Sequence, residues 1–352
     1  MTSPSVREDT RFLVIRRDNI GDLACTTPLI RALRDRYPRA RIAVLVNSYN
    51  RPVVENNPDI DIIYDYTKGK HREKGESLLG VYWRRARMMW ELRREQFDYV
   101  IIAGAHFKRR GVSLARMLKP KHIVGFTEEG RPGVEHVDVG MPYTVPRPMH
   151  ETEDIFRLLG LLDITGTPPP MRLVPAATAL AQVDAAFRER NLSQHGVVAI
   201  HISARKPTNR WPADRFIDLI HRLHAAGRGP FMLLWSPGSV SNPRHPGDDE
   251  KAQQILDAVR GIPVVAYPTT RLDQLIAGLA RCEAMVCSDG GAMHLAAALG
   301  KPIVCFFGKS DTTRWYPWRA KHVLLQPPSH DVADISTDDA VAAFSRLMSE
   351  VA

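Results

Sequence analysis

One stretch constrains the fold more than any other: residues 288–300, SDGGAMHLAAALG, set between the apolar runs 284–287 and 302–307. The pattern reads strand, turn, short helix, strand, which is half of a βαβ unit and the start of the next. Its turn offers Asp289, Gly290 and Gly291. Glycines let a backbone approach a ligand closely, and the first helical turn aims free N–H groups at whatever sits there. In open α/β sheets, a turn at the carboxyl end of a parallel strand is where ligands bind.

The same alternation runs through the rest of the chain. A first strand is predicted at 11–16, RFLVIR, broken by RDNIGD at 17–22. A helix is predicted over 23–37, stopped by Pro38, and a second strand over 41–47. Further strands are predicted at 61–66, 99–104, 122–126 and 134–141, with a helix at 151–162. In the second half, strands fall at 197–203, 231–236, 264–267, 284–289, 303–308 and 323–326. Helices lie between them near 212–226, 249–259, 271–281 and 292–299. Near-continuous apolar strands mark parallel sheets covered on both faces. The connection 237–249 is long, polar and rich in Pro and Gly, the character of a functional loop.

At 352 residues the chain exceeds what one core organises, so two domains are expected. The run TGTPPP at 165–170 breaks all regular structure and marks the linker. The reading is therefore two tandem Rossmann-like α/β domains, 1–165 and 166–352, facing a central cleft. The last helix, 338–351, closes the chain and has the option of packing back on the N-terminal domain.

Cys25, Cys282, Cys287 and Cys305 lie in or beside apolar segments without CxxC spacing. That argues against a disulfide framework or a zinc site and for a reducing cytoplasm. No apolar run approaches the roughly 20 residues of a membrane span, and the N-terminus lacks the apolar core of a signal peptide. Net charge is +9, with 28 Lys/Arg against 22 Asp/Glu in residues 1–165 and 20 against 17 in the remainder. A basic N-terminal half suggests an anionic partner: nucleic acid, a phosphorylated substrate or the inner face of a membrane. Between 68 and 94 there are nine Lys/Arg against three Glu. Residues 68–75 read as a mobile loop. Residues 78–97 set Leu79, Tyr82, Trp83, Met89, Trp90 and Leu92 among arginines. This is a sheet-covering helix with a solvated face or, more sharply, one that also touches a membrane surface or an anionic acceptor.

Two separated motifs narrow the choice. The opening, FLVIRRDNIGDLACTTPLIRALRDRYPRARIAVLV, and the later SDGGAMHLAAALGKPIVCFFGKSDTTRWYPW resemble glycosyltransferase family 9, the heptosyltransferases of lipopolysaccharide core assembly. HISARKPTNRWPADRF is a third, weaker match, in the place of the family's phosphate-contacting loop before a Trp-Pro. The resemblance implies a GT-B architecture. There are two departures: Gly290 stands where the family usually has Thr, and Asn209 where it commonly has Lys, so that Lys206 or Arg210 takes the lysine's place.

Sugar transfer from a nucleotide donor needs a base for the acceptor hydroxyl and stabilisation of the departing diphosphate. Asp22, just after Gly21 at a helix start, can supply the carboxylate or can be an ordinary helix-start aspartate; the resemblance implies the catalytic base. Asn19, Gly21, Lys108, Arg109 and Arg110 are the candidate acceptor contacts. On the donor side the candidates are Ser203, Lys206, Arg210, Glu250, Thr270, Asp289, Gly290, Gly291, Ala292 and His294. Of these, Asp289 suits sugar hydroxyls, while Lys206, Arg210 and the helix start at Ala292 suit the diphosphate. His294 is a diphosphate contact or a packing histidine; the resemblance places Thr270 at the adenosine, and Glu250 is a candidate for the ribose or base. Asp59-Ile60-Asp61 fits an Asp-x-Asp metal pattern but more simply begins a strand, so no metal and no cofactor are expected.

The resemblance implies a cytoplasmic, inverting, metal-independent enzyme moving heptose from ADP-heptose to an inner-core Kdo or heptose of lipopolysaccharide, peripheral at the inner membrane face. Another nucleotide sugar or surface glycan is the alternative within the family. A non-catalytic anion-binding or nucleic-acid-binding protein is the alternative outside it, although nothing in the chain resembles a nucleic-acid module.

Overall fold

The computed structural model describes residues 6–66, 78–242 and 246–351. The basic stretch 68–75 therefore lies outside the described residues. The chain divides into two compact units, one reaching Arg172 and one starting at Leu173. The division falls seven residues beyond the sequence-based boundary at 165. Arg172 belongs with the first unit because its backbone N–H donates to Thr27 Oγ1 (3.0 Å) and its guanidinium to Asp59 Oδ1 (2.7 Å).

In the first unit, strands β1 (Arg11–Ile15), β2 (Arg41–Asn47), β3 (Ile62–Tyr66), β4 (Tyr99–Ile102), β5 (His122–Thr127) and β6 (Val139–Pro142) form one parallel sheet. Its spatial order is β3-β2-β1-β4-β5-β6. Leu13 pairs with Ala43 on one side and Val100 on the other. β1, β2 and β4 are buried almost throughout, as expected of strands covered on both faces.

The second unit repeats the plan with β7 (Val198–His201), β8 (Phe231–Trp235), β9 (Val264–Pro268), β10 (Ala284–Ser288), β11 (Ile303–Phe306) and β12 (His322–Leu325). The order here is β12-β11-β10-β7-β8-β9, so each unit sets its first strand beside its fourth. At that reversal, neighbouring connections leave to opposite faces and open a crevice at the carboxyl ends of the strands. In the first unit the crevice lies above β1 and β4, and in the second above β7 and β10.

The predicted helix 23–37 is two helices, α1 (Ile20–Ala24) and α2 (Thr27–Arg36). Pro28 has no N–H to continue the first, and suits the opening turn of the second. Residues 134–138 are not strand: a 3₁₀ turn at Val134–His136 follows Gly133 in the left-handed region. The basic helix is α3 (Leu78–Arg94), and α4 (Arg109–Leu118) and α6 (Ala177–Glu189) are additions to the sequence reading. The helix at 151–162 is α5 (Glu151–Phe156) continued by a 3₁₀ segment. The remaining helices are α7 (Ala213–Ala225), α8 (Asp249–Ala258), α9 (Leu272–Arg281), α10 (Gly291–Ala298), α11 (Thr312–Trp315) and α12 (Thr337–Ser349). The last of these packs within the second unit, on β12 and α7.

Trp211 anchors the loop between β7 and α7. It is 1 % exposed, wedged against Phe216 and Phe306 with ring centroids 4.7 Å away, and its Nε1 donates to the Ile335 carbonyl at 2.9 Å. Burying so large an indole with its one donor satisfied fixes the start of α7 and the loop before it.

Candidate active site

In the first unit, the turn from β1 into α1 carries Asp22. Its Oδ2 accepts from the Asn19 backbone N–H (3.0 Å) and from Asn19 Nδ2 (2.9 Å), and its Oδ1 accepts from Arg16 Nη2 at 2.6 Å. The same Arg16 nitrogen donates to Glu151 Oε1 at 2.8 Å. Arg16 and Glu151 side chains are each 3 % exposed and Asp22 is 15 % exposed. Burial would push the Asp22 carboxyl up, but the Arg16 charge and the Asn19 hydrogen bonds outweigh it and hold the group below the usual carboxylate range. Arg16, despite its burial, is held more firmly protonated by Glu151, Asp22 and Asp18. Asp22 is thus an ionised carboxylate at a sheet crevice.

The turn itself is held from β2. Asn47 Nδ2 donates to the carbonyls of Arg17 (2.7 Å) and Asp18 (3.1 Å), and the Tyr49 hydroxyl donates to Asp18 O at 2.8 Å. Gly21 is buried inside α1. Across the crevice, the β4 chain continues to Gly104, over which the ends of Lys108 and Arg16 both lie. A Cβ there would stand 2.9 Å from Lys108 Cε and 3.5 Å from Arg16 Nη1. Lys108, Arg109 and Arg110 are exposed at the start of α4, whose first turn holds no acidic residue. Arg17 Nη2 ties this turn back to β1 through the Arg110 carbonyl (3.3 Å). Lys108, Asn19 and Asp22 therefore share one crevice. Asp59 and Asp61 are committed elsewhere, to Arg172 and Arg34.

In the second unit, four polar side chains meet above β7 and β10. Asn209 is buried, and its Nδ2 donates to the Asp289 backbone carbonyl (3.1 Å) and carboxylate (3.3 Å). Ser310 Oγ donates to the same carboxylate at 2.6 Å, and Lys206 Nζ donates to Ser310 Oγ at 3.3 Å. The chain Lys206–Ser310–Asp289–Asn209 places a cation beside an acid whose other side is the opening turn of α10. Gly290, Gly291, Ala292 and His294 form that turn. His294 is 3 % exposed, with Trp315 edge-on at 5.9 Å. Gly290 is extended (φ 165°, ψ −174°), and a Cβ there would meet nothing within 4 Å.

Arg210 is turned away from this group. It donates to the Ala204 carbonyl (2.8 Å) and pairs with the buried Asp248. Of the two cations suggested for the missing family lysine, Lys206 is the one joined to the Asp289 cluster. Ser203 Oγ accepts from the Ser236 N–H (2.9 Å) and pins the β7 loop to the end of β8. Thr270 bonds Gln274 at the start of α9, and Glu250 accepts from the Val240 N–H at 3.4 Å. Both stand outside the Lys206–Asp289 network. Arg16, Glu151 and Ser310 are absent from the sequence-based selection. Only Arg16 offered a signal, as a charged residue ending an otherwise apolar strand.

The family model of glycosyltransferase family 9 (heptosyltransferase) matches residues 85–339. Lipopolysaccharide heptosyltransferase 3 of Escherichia coli (strain K12) is 24 % identical, across 94 % of this chain and 96 % of its own length. The structure of E. coli ADP-heptose lps heptosyltransferase II superposes with a TM-score of 0.74 at 21 % identity, covering 97 % of this chain and 100 % of that one. E. coli heptosyltransferase WaaC with ADP-2-deoxy-2-fluoro heptose gives a TM-score of 0.72 at 17 % identity, again covering 97 % and 100 %. These likenesses establish the two-unit α/β fold as GT-B-like. The family match spans well over half the sequence, so the chain belongs to glycosyltransferase family 9 and is a glycosyltransferase of the heptosyltransferase kind.

Proposed function

We propose that this heptosyltransferase moves heptose from ADP-heptose to a Kdo or heptose residue of the lipopolysaccharide inner core, by a single inverting displacement that needs no metal. The observation that carries the reading is the ionised Asp22 carboxylate held at the β1–α1 turn by Arg16 and Asn19. Asp22 takes the proton of the acceptor hydroxyl as its oxygen bonds to the anomeric carbon. The bond from that carbon to the ADP oxygen breaks, and the leaving diphosphate keeps the electron pair. Lys206 and the backbone N–H groups opening α10 meet the charge that develops on the diphosphate. Asp289 accepts hydrogen bonds from donor hydroxyls, and Lys108 to Arg110 meet the anionic acceptor. The donor assignment draws support from the relative solved with an ADP-heptose analogue. The protein works at the inner face of the cytoplasmic membrane, where its basic first unit faces anionic lipid.

The expected result is that purified protein incubated with ADP-heptose and a Kdo-bearing acceptor releases ADP at an undiminished rate when a chelator is present. Release only with Mg²⁺ would overturn the metal-free mechanism, and an axial or equatorial anomer matching the donor's own would overturn inversion. A second donor remains in view because Gly290 and Asn209 replace the hydroxyl and the lysine usual in the family. Turnover with another nucleotide sugar, and none with ADP-heptose, would replace the favoured donor.

A further inference from the structure

Helix α3 turns two tryptophans away from the core. Trp83 is 70 % exposed and Trp90 58 %, the two exposed tryptophans among the described residues. Leu92 is buried in the core of the first unit and Met88 and Met89 pack against it, so the inward side of the helix is occupied. With 3.6 residues per turn, positions 83, 87, 90 and 94 fall within about 60° of arc, opposite that inward side. The crest of the outward face therefore reads Trp83, Arg87, Trp90, Arg94. The Arg94 guanidinium lies 4.5 Å from the Trp90 ring centroid, and Arg84 and Arg93 are exposed on either flank. Glu91 is the one acidic residue of the helix, against five arginines.

Folding does not explain two exposed indoles, since neither takes part in the core of the first unit. An indole amid guanidinium groups suits one environment well. At a lipid headgroup layer the ring enters the acyl boundary while its N–H stays wet, and the arginines bond phosphates. A second copy of this chain fits poorly, because a two-fold contact would face Arg87 and Arg94 with their own symmetry mates. We propose that the outward face of α3 is a docking surface for anionic phospholipid, with Trp83 and Trp90 as anchors and Arg87 and Arg94 as headgroup contacts. The assignment rests on the membrane-face reading above, and names the surface responsible.

The test is co-sedimentation of the full chain with vesicles of phosphatidylcholine alone and of phosphatidylcholine mixed with phosphatidylglycerol, with no nucleotide sugar present. The expected result is binding to the mixed vesicles only, weakening as salt rises, with a blue shift of tryptophan fluorescence. W83A/W90A and R87E/R94E should each reduce the bound fraction at least tenfold, with unchanged thermal melting and unchanged transfer to a soluble acceptor. Equal vesicle binding by wild type and both variants would overturn the surface, even if transfer activity is normal. Two further outcomes would also overturn it: loss of soluble-acceptor transfer in W83A/W90A, which would make the face an acceptor site, or conversion of a wild-type dimer to a monomer, which would make it a self-interface.

Discussion

Arg16 Nη2 sits 2.6 Å from Asp22 Oδ1 and fixes both the place and the charge of that carboxylate. An acid so held is ionised at any pH the cell meets, and it needs no further event to accept a proton. Asp22→Asn removes the charge and keeps the size; with its amide oxygen on the Asn19 donors, its NH₂ faces Arg16 and that one hydrogen bond is lost. The expected outcome is a fall in kcat of about 10²–10⁴-fold with intact folding, read by ADP release and thermal melting together. Full activity would sink the assigned base.

Arg16 bridges the buried Glu151 and the part-buried Asp22, so its loss is felt in the pH profile. With the Arg16 charge gone, burial is opposed only by the Asn19 hydrogen bonds, and the Asp22 pKa rises from its depressed value. In Arg16→Gln the acid limb of kcat/KM therefore moves to higher pH, while the wild-type limb lies below the ordinary carboxylate range. Glu151→Gln leaves Arg16 held by Asp22, Asp18 and the Ala103 carbonyl, and the same limb should move less. Breaking a buried pair costs about 3–5 kcal/mol, so both profiles are measured well below the melting temperature. An unmoved limb in Arg16→Gln would show that Asp22 does not report the limb.

Two glycines near the Asp289 cluster should behave oppositely. Gly290 is extended with open space around it, so Gly290→Thr should change stability by no more than about 0.5 kcal/mol. It restores the hydroxyl usual in the family and should lower the donor KM. Gly308 is closed in: a Cβ there would lie 2.4 Å from Asn209 Oδ1 and 2.7 Å from the Thr208 carbonyl. Gly308→Ala should cost about 1–3 kcal/mol and raise donor KM by displacing Asn209 from Asp289. Denaturant melts and steady-state kinetics on the pair decide the matter.

His201 ends β7 with Nδ1 buried and without a hydrogen-bond partner. Burial, and then the Lys251 charge, push its pKa down from 6.5 to about 4. The unfolded chain gains this proton near pH 6.5 and the folded chain only near 4. Stability therefore falls as pH drops across that interval, by on the order of 3 kcal/mol from this group. His201→Gln should flatten that part of the stability curve, measured by urea unfolding at pH 7, 5.5 and 4.5. An unchanged slope would assign the effect elsewhere.

The strands were legible in the sequence because a buried parallel strand is a short run of Val, Ile, Leu and Phe, as in RIAVLVN; the exception is 134–138, read as strand but opening in a 3₁₀ turn. Helix ends were legible where a proline or glycine marks them, and less so at residues 23–37, where Pro28 starts one helix rather than interrupting another. The Gly-Asp turn and the SDGG turn were visible because each follows such a strand directly. The partners of those turns were not. Glu151 reaches Arg16 from 135 positions away, and no linear spacing encodes that meeting; it exists because α5 packs on α2. Arg210 and Lys206 are chemically similar and four residues apart, and only the buried Asp248 separates their roles.

All four cysteines are buried thiols, and burial pushes Cys25 and Cys282 up to about 12 and raises Cys287 and Cys305 as well. Thiolate, the species that alkylating reagents attack, is thus scarce until the surrounding structure opens. One such thiol lies in the first unit and three in the second. Pulse alkylation followed by peptide mass analysis can then time the opening of each unit separately, in the unmodified protein and without an engineered probe.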